Sequence, residues 1–208
     1  MPSSADARRP WVALAVALAL GGLLVFFAGA GARDALEWQP ARVLAEPWRA
    51  VSAPWVHYSA LHLEANLAGT AVVAALGWFA GAQRRIVVAW LIAWPLTQLG
   101  LLARPDLLHY GGLSGVLHAG VACIGWQLAV HARGRRQIVG ALVLLGLLAK
   151  IASESPWGAA LRQPPGWDIV TAPFAHASGF VAGLFAAAIC DAAARRDARS
   201  PRRADTAL

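Results

Sequence analysis

The sequence is poor in charged and acidic side chains. Only 14% of its 208 residues are charged and 11 are aspartate or glutamate, whereas 58% are hydrophobic. The mean hydropathy of +0.53 is well above the value expected of a soluble domain. This composition argues against a water-soluble enzyme and predicts an all-α polytopic membrane protein.

Cysteine is also scarce, and the chain contains only Cys123 and Cys190. Both fall inside long apolar runs, where a thiol behaves as a small, buried and polarizable side chain. Two cysteines without a nearby ligating histidine or cysteine give no metal-site spacing, and they give no disulfide framework. The sequence therefore predicts neither a metal centre nor disulfide bonds.

Apolar runs long enough to cross a membrane recur along the chain. The 23 residues between Arg9 and Arg33 carry no formal charge, nor do the 22 between Asp168 and Asp191. A helix needs roughly 20 residues to cross a hydrocarbon core of about 30 Å. The first run is too long for a signal peptide and lacks a good cleavage site, so we interpret it as a retained helix. The six predicted spans are Pro10–Ala32, Ser59–Ala82, Ile86–Ala103, Gly111–Ala132, Ile138–Ser153 and Ile169–Cys190.

The basic residues indicate how these spans are oriented. The net charge of +7 would suit nucleic acid, but with six helices twelve of the 18 lysines and arginines fall on the side that holds both termini. This asymmetry matches the positive-inside rule, places both termini in the cytoplasm and suits contact with anionic lipid rather than nucleic acid. We predict a cytoplasmic N-terminus (1–9), a membrane domain (10–192) and a disordered basic tail (193–208).

Ser114 is a polar residue at the start of the fourth span. It follows a pair of glycines, Gly111 and Gly112, and precedes Gly115. A serine in the first turn of a helix lies near unpaired backbone N–H groups and the positive end of the helix dipole, which favour a developing oxyanion. On Gly-Leu-Ser-Gly alone, a small-residue packing motif between helices is the favoured interpretation.

His176 lies near the start of the last span, and Gly179 and Gly183 follow it. Glycines four residues apart let two helices approach closely. If the partner helix carries Ser114, the imidazole reaches the hydroxyl and serves as a general base. No acidic residue within a span is placed to orient the ring, so we predict a Ser–His dyad. The alternative is a histidine bonded only for packing.

His62 and Asn66 are four residues apart and share one face of the second helix. Both side chains can donate a hydrogen bond, as an oxyanion hole requires. Glu64 points roughly the opposite way, about 200° around the helix, so it is left out of the site. A polar clasp between helices is the alternative for the pair.

The order of these motifs is more specific than any one of them. Trp48-Arg49 is followed by His57, then His62-x-x-x-Asn66, Gly-x-Ser-Gly and His-x-x-Gly-x-x-x-Gly. In this order the chain resembles the rhomboid family of intramembrane serine proteases from about Trp48 to Gly183. The matched residues are Trp48, Arg49, His62, Asn66, Gly112, Ser114, Gly115, His176, Gly179 and Gly183.

The resemblance implies a six-helix rhomboid-like bundle with Ser114 as nucleophile and His176 as general base. His62, Asn66 and the Ser114 backbone N–H would stabilise the oxyanion, and no metal or other cofactor would take part. It also implies a multi-pass protein of the bacterial inner membrane, with the active site facing the periplasm. Its partners would be membrane-anchored proteins.

The stretch Tyr110–Gly120 is similar to the rhombosortase subfamily. This similarity implies substrates with a C-terminal tail made of a Gly-Gly motif, a transmembrane helix and a basic cluster. His118 stands where many rhomboids have a tyrosine, and an imidazole one turn after Ser114 is able to stack on His176 and to titrate with it.

Three other functions remain as alternatives. One is a general rhomboid protease with other single-span substrates. Another is a non-catalytic rhomboid-like protein that binds transmembrane helices, although such a protein would typically have lost Ser114 or His176. A transporter or channel is the third, but the sequence shows no paired discontinuous helices, no charged ring within a span and no inverted repeat.

Overall fold

The computed structural model describes residues 8–199. Over this range the chain forms eight α-helices, six of them long, together with two isolated β-bridges. The long helices run antiparallel to their chain neighbours, so α4, α6 and α8 begin at one end of the bundle, here called the site end. The helices are α1 (Arg9–Ala28), α2 (Ala30–Leu36), α3 (Arg49–Ser52), α4 (Ala60–Ala80), α5 (Arg84–Gly100), α6 (Ser114–His131), α7 (Arg135–Ser153) and α8 (Pro173–Arg199).

The six long helices coincide with the six predicted spans, which confirms the all-α membrane fold. Five of them, all except α6, are long and apolar enough to cross a membrane. The sixth, α6, carries several polar residues, and most of its side chains are buried against the other helices. It is therefore the central helix of the bundle, and its side chains contact mainly the other helices.

Three predicted boundaries differ from the structure by four residues or more. The first span ends at Ala28, because Gly29 takes a positive φ of 86° and breaks the helix before α2. The last span begins at Pro173 rather than Ile169, as suits a residue with fixed φ and no N–H. It also continues to Arg199 through an alanine-rich stretch of high helix propensity, so the tail predicted to be disordered is helical over 193–199. The rest of that tail, and residues 1–7, lie outside the described residues.

Tryptophan side chains join α1, α4, α5 and α6 in the core. Trp11 stacks on Trp90 with ring centroids 4.3 Å apart, and both side chains are fully buried. The Trp11 indole donates to the carbonyl of Val73 at 2.9 Å, and the Trp90 indole donates to that of Val116 at 2.8 Å. Each buried N–H is therefore satisfied, so the aromatic contacts cost no unpaired donor.

Helices α6 and α8 touch backbone to backbone. A Cβ on Gly179 would lie 1.9 Å from the carbonyl oxygen of Gly115, and one on Gly183 would lie 2.5 Å from that of Ala119. Only glycine permits this approach, so the Gly179-x-x-x-Gly183 spacing joins α8 to the helix that carries Ser114, the partner that the sequence left open. These contacts fix the two helices relative to each other.

Away from the site end, polar residues close the bundle around Asp191. This buried carboxylate of α8 accepts a hydrogen bond from the Trp126 indole at 2.7 Å and contacts the His131 ring at 2.5 Å. The Arg85 guanidinium lies 3.0 Å from its other oxygen. Asp191 therefore pairs with His131, at the opposite end of α6 from Ser114.

Candidate active site

Ser114 occupies the first position of α6, and glycines shape the segment before it. Gly112 has a φ of +125°, which L side chains rarely adopt, and a Cβ there would lie 2.6 Å from Nε2 of His62. The segment is held by paired backbone hydrogen bonds between Trp38 and Tyr110, at 2.7 and 3.0 Å. The serine is therefore presented at a helix N-terminus by a fixed turn.

His176 lies in the first turn of α8, directly beside this serine. Its Nε2 is 3.0 Å from Oγ of Ser114, a hydrogen-bond distance. Gly115 helps to set this distance, because a Cβ there would lie 2.9 Å from the carbonyl oxygen of Ala175. The close contact of α6 and α8 therefore brings the hydroxyl of Ser114 within reach of the imidazole of His176. This is the arrangement expected of a nucleophile and its general base.

His62 and Asn66 lie on the adjacent face of α4, and both are buried. The backbone N–H of Tyr58 points at Nδ1 of His62 from 3.4 Å, which leaves Nε2 to carry the ring proton. The Asn66 amide donates to the carbonyl of His62 at 3.0 Å and keeps a second N–H. These two donors lie beside Gly112 and line the same cavity as Ser114.

The structure adds an acidic partner that the sequence analysis did not place. Oε2 of Glu154 lies 2.6 Å from Nδ1 of His176, on the side of the ring away from Ser114. That the protein works with a Ser–His dyad stays a prediction, but in the structure His176 does have an acidic neighbour. Glu154 follows the last residue of α7, Ser153, and therefore lies just outside the predicted spans.

The charge of Glu154 is held in place by its neighbours. Burial raises the pKa of the carboxyl, but hydrogen bonds and charge interactions with His176 and Lys150 outweigh it and lower the pKa to about 2. The Lys150 ammonium lies 2.8 Å from Oε1 of Glu154. Lys150 and Glu154 are spaced i and i+4 at the site end of α7. This i and i+4 pair of opposite charges is the one signal in the sequence that could have indicated the contact.

His118 stacks on His176 with ring centroids 4.1 Å apart and an angle of 10° between the planes. This is the arrangement expected of an imidazole one helical turn after Ser114. Its Nδ1 lies 2.6 Å from the carbonyl oxygen of Ser114, and its Nε2 lies 2.7 Å from the Lys150 ammonium. His118 therefore fixes one face of the His176 ring and connects it to α7.

Trp48, Arg49 and His57 support the site without reaching Ser114. The buried Arg49 guanidinium donates to the backbone carbonyls of Asp34 and Glu37 at 2.9 and 2.8 Å, and it pairs with Glu46. Trp48 is half exposed. His57 packs edge-on against His62 at 4.8 Å, and burial lowers its pKa to about 4, so it is neutral at pH 7. Arg49 therefore fastens α3 to the end of α2, and His57 supports the ring of His62.

A cavity of about 1220 Å³ extends from Ser114 between α4 and α7. One wall is the apolar face of α4 with Gly69 and Val72, and Leu147 of α7 forms the other. The floor is α6, and the segment 161–173 covers the site end. The catalytic candidates therefore lie in the polar part of a cleft whose remaining surface is apolar.

Comparison with known families decides the classification. The rhomboid domain family matches residues 44–192, which is most of the chain and contains every candidate site residue. The chain belongs to the rhomboid family. Rhomboid proteins are intramembrane serine proteases, and rhomboid proteases act on membrane-embedded substrates within the bilayer. A search of curated proteins found no match.

Family membership accounts for the multi-pass, helical architecture of this rhomboid protein. Within the described residues, no group of three histidine, cysteine, aspartate or glutamate side chains is arranged to hold a metal ion. That no cofactor takes part stays a prediction. The same is true of the roles assigned to Ser114, His176, His62 and Asn66, which the family match does not test.

Proposed function

We propose that this rhomboid protein is an active intramembrane serine endopeptidase with Ser114 as nucleophile and His176 as general base. The observation that carries the proposal is the 3.0 Å contact between Ser114 Oγ and His176 Nε2. The contact lies in a cavity that also contains the donors of His62 and Asn66. A nucleophile, a base and an oxyanion site within one cleft are the parts that acyl transfer requires.

In the proposed reaction, Oγ of Ser114 attacks the scissile carbonyl while Nε2 of His176 takes the hydroxyl proton. The negative charge that develops on the carbonyl oxygen is stabilised by His62, Asn66 and the first backbone N–H groups of α6. The same proton then goes to the leaving amine, and a water molecule repeats the sequence to release the acyl group.

We infer that the substrate helix enters between α4 and α7. The cavity is apolar along these two helices, and it leads from the bilayer-facing side of the bundle to Ser114. Helix α7 supports this route because nearly all of its side chains are at least partly exposed. An extended segment at the end of a substrate helix then reaches the serine near the membrane surface, where water is available for hydrolysis.

We further propose the rhombosortase substrate class, in which the C-terminal tail carries Gly-Gly, a transmembrane helix and basic residues. This proposal is supported by the sequence Tyr110–Gly120. The arginine distribution favours a protein of the bacterial inner membrane with both termini in the cytoplasm. In that orientation the site end faces the periplasm. The substrate's basic cluster then lies in the cytoplasm, as the same positive-inside rule requires.

The test is co-expression with a reporter that ends in Gly-Gly, a transmembrane helix and a basic tail. Mass spectrometry measures loss of the tail, with Ser114→Ala and a reporter lacking Gly-Gly as matched controls. We expect tail loss only with the wild-type protease, reduced at least about 10³-fold by Ser114→Ala. Cleavage of both reporters would indicate a general rhomboid protease. If neither reporter is cleaved and a fluorophosphonate does not label Ser114, the protein is not an active protease, and the helix-binding function is favoured instead.

A further inference from the structure

Two charged side chains of the α7 end meet His176 on the nitrogen that faces away from Ser114. Nδ1 is 2.6 Å from Oε2 of Glu154 and 3.1 Å from Nζ of Lys150. A neutral imidazole nitrogen either donates a proton or accepts one, so the two partners favour opposite tautomers. Glu154 favours the proton on Nδ1, which leaves Nε2 free to take the proton of Ser114. Lys150 favours the tautomer that is unable to act as a base.

The surrounding hydrogen bonds decide between these tautomers. Nδ1 of His118 faces the carbonyl oxygen of Ser114, which only accepts, so this nitrogen carries the proton and Nε2 of His118 accepts. Lys150 donates to that Nε2 at 2.7 Å and to Oε1 of Glu154 at 2.8 Å. The ammonium is thus directed to other acceptors, and Oε2 of Glu154 is left to accept from His176.

We propose that Glu154 is a positioning residue that completes a Ser–His–Glu triad, with Lys150 and His118 holding its carboxylate against His176. This inference rests on the protease function proposed above. Glu154 touches no reacting atom and transfers no proton. It sets the tautomer and orientation of the base, and its negative charge stabilises the imidazolium that forms when Ser114 is deprotonated.

The backbone around Glu154 is built to hold this position. The helix ends at Ser153, and Ser155 takes a left-handed φ of 51°, which is uncommon for a residue other than glycine. The guanidinium of Arg162 donates to the main-chain carbonyl of Glu154 at 2.7 Å. A backbone held in a sparsely populated conformation persists only where its surroundings determine it, and such positions cluster at functional sites.

The charges explain why both partners of α7 matter. Protonation of Nε2 gives His176 a positive charge, which the carboxylate at 2.6 Å stabilises and the ammonium at 3.1 Å opposes. In the native protein Glu154 offsets Lys150. Without the carboxylate, Lys150 would both oppose the imidazolium and bind the lone pair of Nδ1, so removal of Lys150 would then be beneficial.

The test compares Glu154→Gln with Glu64→Gln, an identical change on the exposed face of α4. We expect Glu154→Gln to lower kcat about 10- to 100-fold with KM within about twofold. This is less than the effect of losing a fully buried triad acid, because Glu154 is partly exposed. Glu154→Asp keeps the charge and is expected to retain intermediate activity. A kcat for Glu154→Gln within threefold of wild type, or equal to that of Glu64→Gln, would overturn the proposal.

The double variant Lys150→Met/Glu154→Gln separates positioning from a merely structural ion pair. We expect it to be at least about threefold faster than Glu154→Gln alone, because the competing ammonium is gone. A structural salt bridge predicts that the double variant is no faster than the single one, and that result would refute the role given to Glu154. If Glu154→Gln does not fold, Glu154→Asp takes its place in the comparison.

Histidine ¹⁵N spectra of the protein in detergent test the inference without any activity. Assignment uses the signal lost in His176→Asn. We expect the Nδ1–H tautomer in the wild type, the Nε2–H tautomer in Glu154→Gln, and the Nδ1–H form again in the double variant. The same tautomer in all three would overturn the proposal. Should the wild type be no more active than Ser114→Ala, the protease function fails while these spectra still decide the positioning role.

Discussion

Helices meet in two different ways on the two sides of the candidate site. On one side, α6 and α8 contact each other through glycine backbones, so that a Cβ on Gly179 would lie 1.9 Å from a carbonyl oxygen. On the other side, α4 and α7 are separated by the cavity, and only Gly140 and Ile151 of α7 are buried. The same bundle thus combines one fixed contact with one open cleft.

The difference assigns separate tasks to the two sides. Ser114 and His176 lie on the fixed pair, where a displacement of about 1 Å would break their hydrogen bond and cost about 10²-fold in rate. Lys150 and Glu154 lie on the helix that borders the cleft. In the proposed mechanism, the orientation of His176 therefore depends on a helix that has few buried side chains. The proposed entry of a substrate requires no movement of Ser114 or His176.

The largest effect is expected from a substitution that separates the fixed pair. Gly179→Val places three carbons where even one would overlap the backbone of α6, so α8 must move away. We expect cleavage and fluorophosphonate labelling of Ser114 both to fall more than about 100-fold while the helical circular dichroism is kept. Rates are measured on purified protein in detergent.

Gly146→Val is the matched control, because no atom of a neighbouring group lies within 4 Å of a Cβ at Gly146 of α7. We expect its activity to stay within about twofold of the wild type, since the added side chain meets open space. Equal losses in Gly179→Val and Gly146→Val would contradict the distinction between a fixed contact and a loosely packed helix.

A smaller effect is expected from removing one of the two proposed oxyanion donors of α4. Asn66→Ala is expected to lower kcat about 20-fold with little change in KM, because His62 and the backbone N–H groups of α6 still serve the oxyanion. The control is Thr70→Val one turn further on, where a buried hydroxyl donates only to the carbonyl of Asn66. We expect this variant within about twofold of the wild type. An Asn66→Ala variant as active as Thr70→Val would mean that the amide is only a packing clasp.

The fold could be predicted from the sequence almost completely, because the physics that sets it is local. Uncharged runs of about 20 residues predict spans, and the Gly179-x-x-x-Gly183 spacing predicts a close helix contact. The predicted boundaries were wrong where backbone conformation or helix propensity, rather than hydrophobicity, decides where a helix ends. Gly29 ends α1 early, and the alanine-rich stretch extends α8 beyond its apolar part.

The site was predicted only where its residues lie on spans. Ser114, His176, His62 and Asn66 are polar in apolar runs, so they stand out. Glu154 does not stand out, because a carboxylate just beyond a span is an ordinary interfacial residue in sequence. Its contact with His176 depends on the packing of α7 against α6, and the left-handed turn at Ser155 follows directly; no local pattern records either.

The smallest effect is expected from a cross-link between α4 and α7, across the open cleft. Val72 and Leu147 face the cavity from opposite walls, so cysteines there can be joined by a flexible bis-maleimide. The background has Cys123 and Cys190 replaced by alanine. We expect cleavage of a membrane-anchored reporter to fall about fivefold, because on the proposed route its helix enters between these walls. Labelling of Ser114 by a small fluorophosphonate is expected to stay within about twofold, since the probe reaches the serine from water.

The two single-cysteine proteins, treated with the same reagent, show whether modification alone is harmful. An equal fall in both rates would mean that the cross-link distorts the fixed pair as well. Unchanged cleavage would place the substrate entrance elsewhere on the bundle.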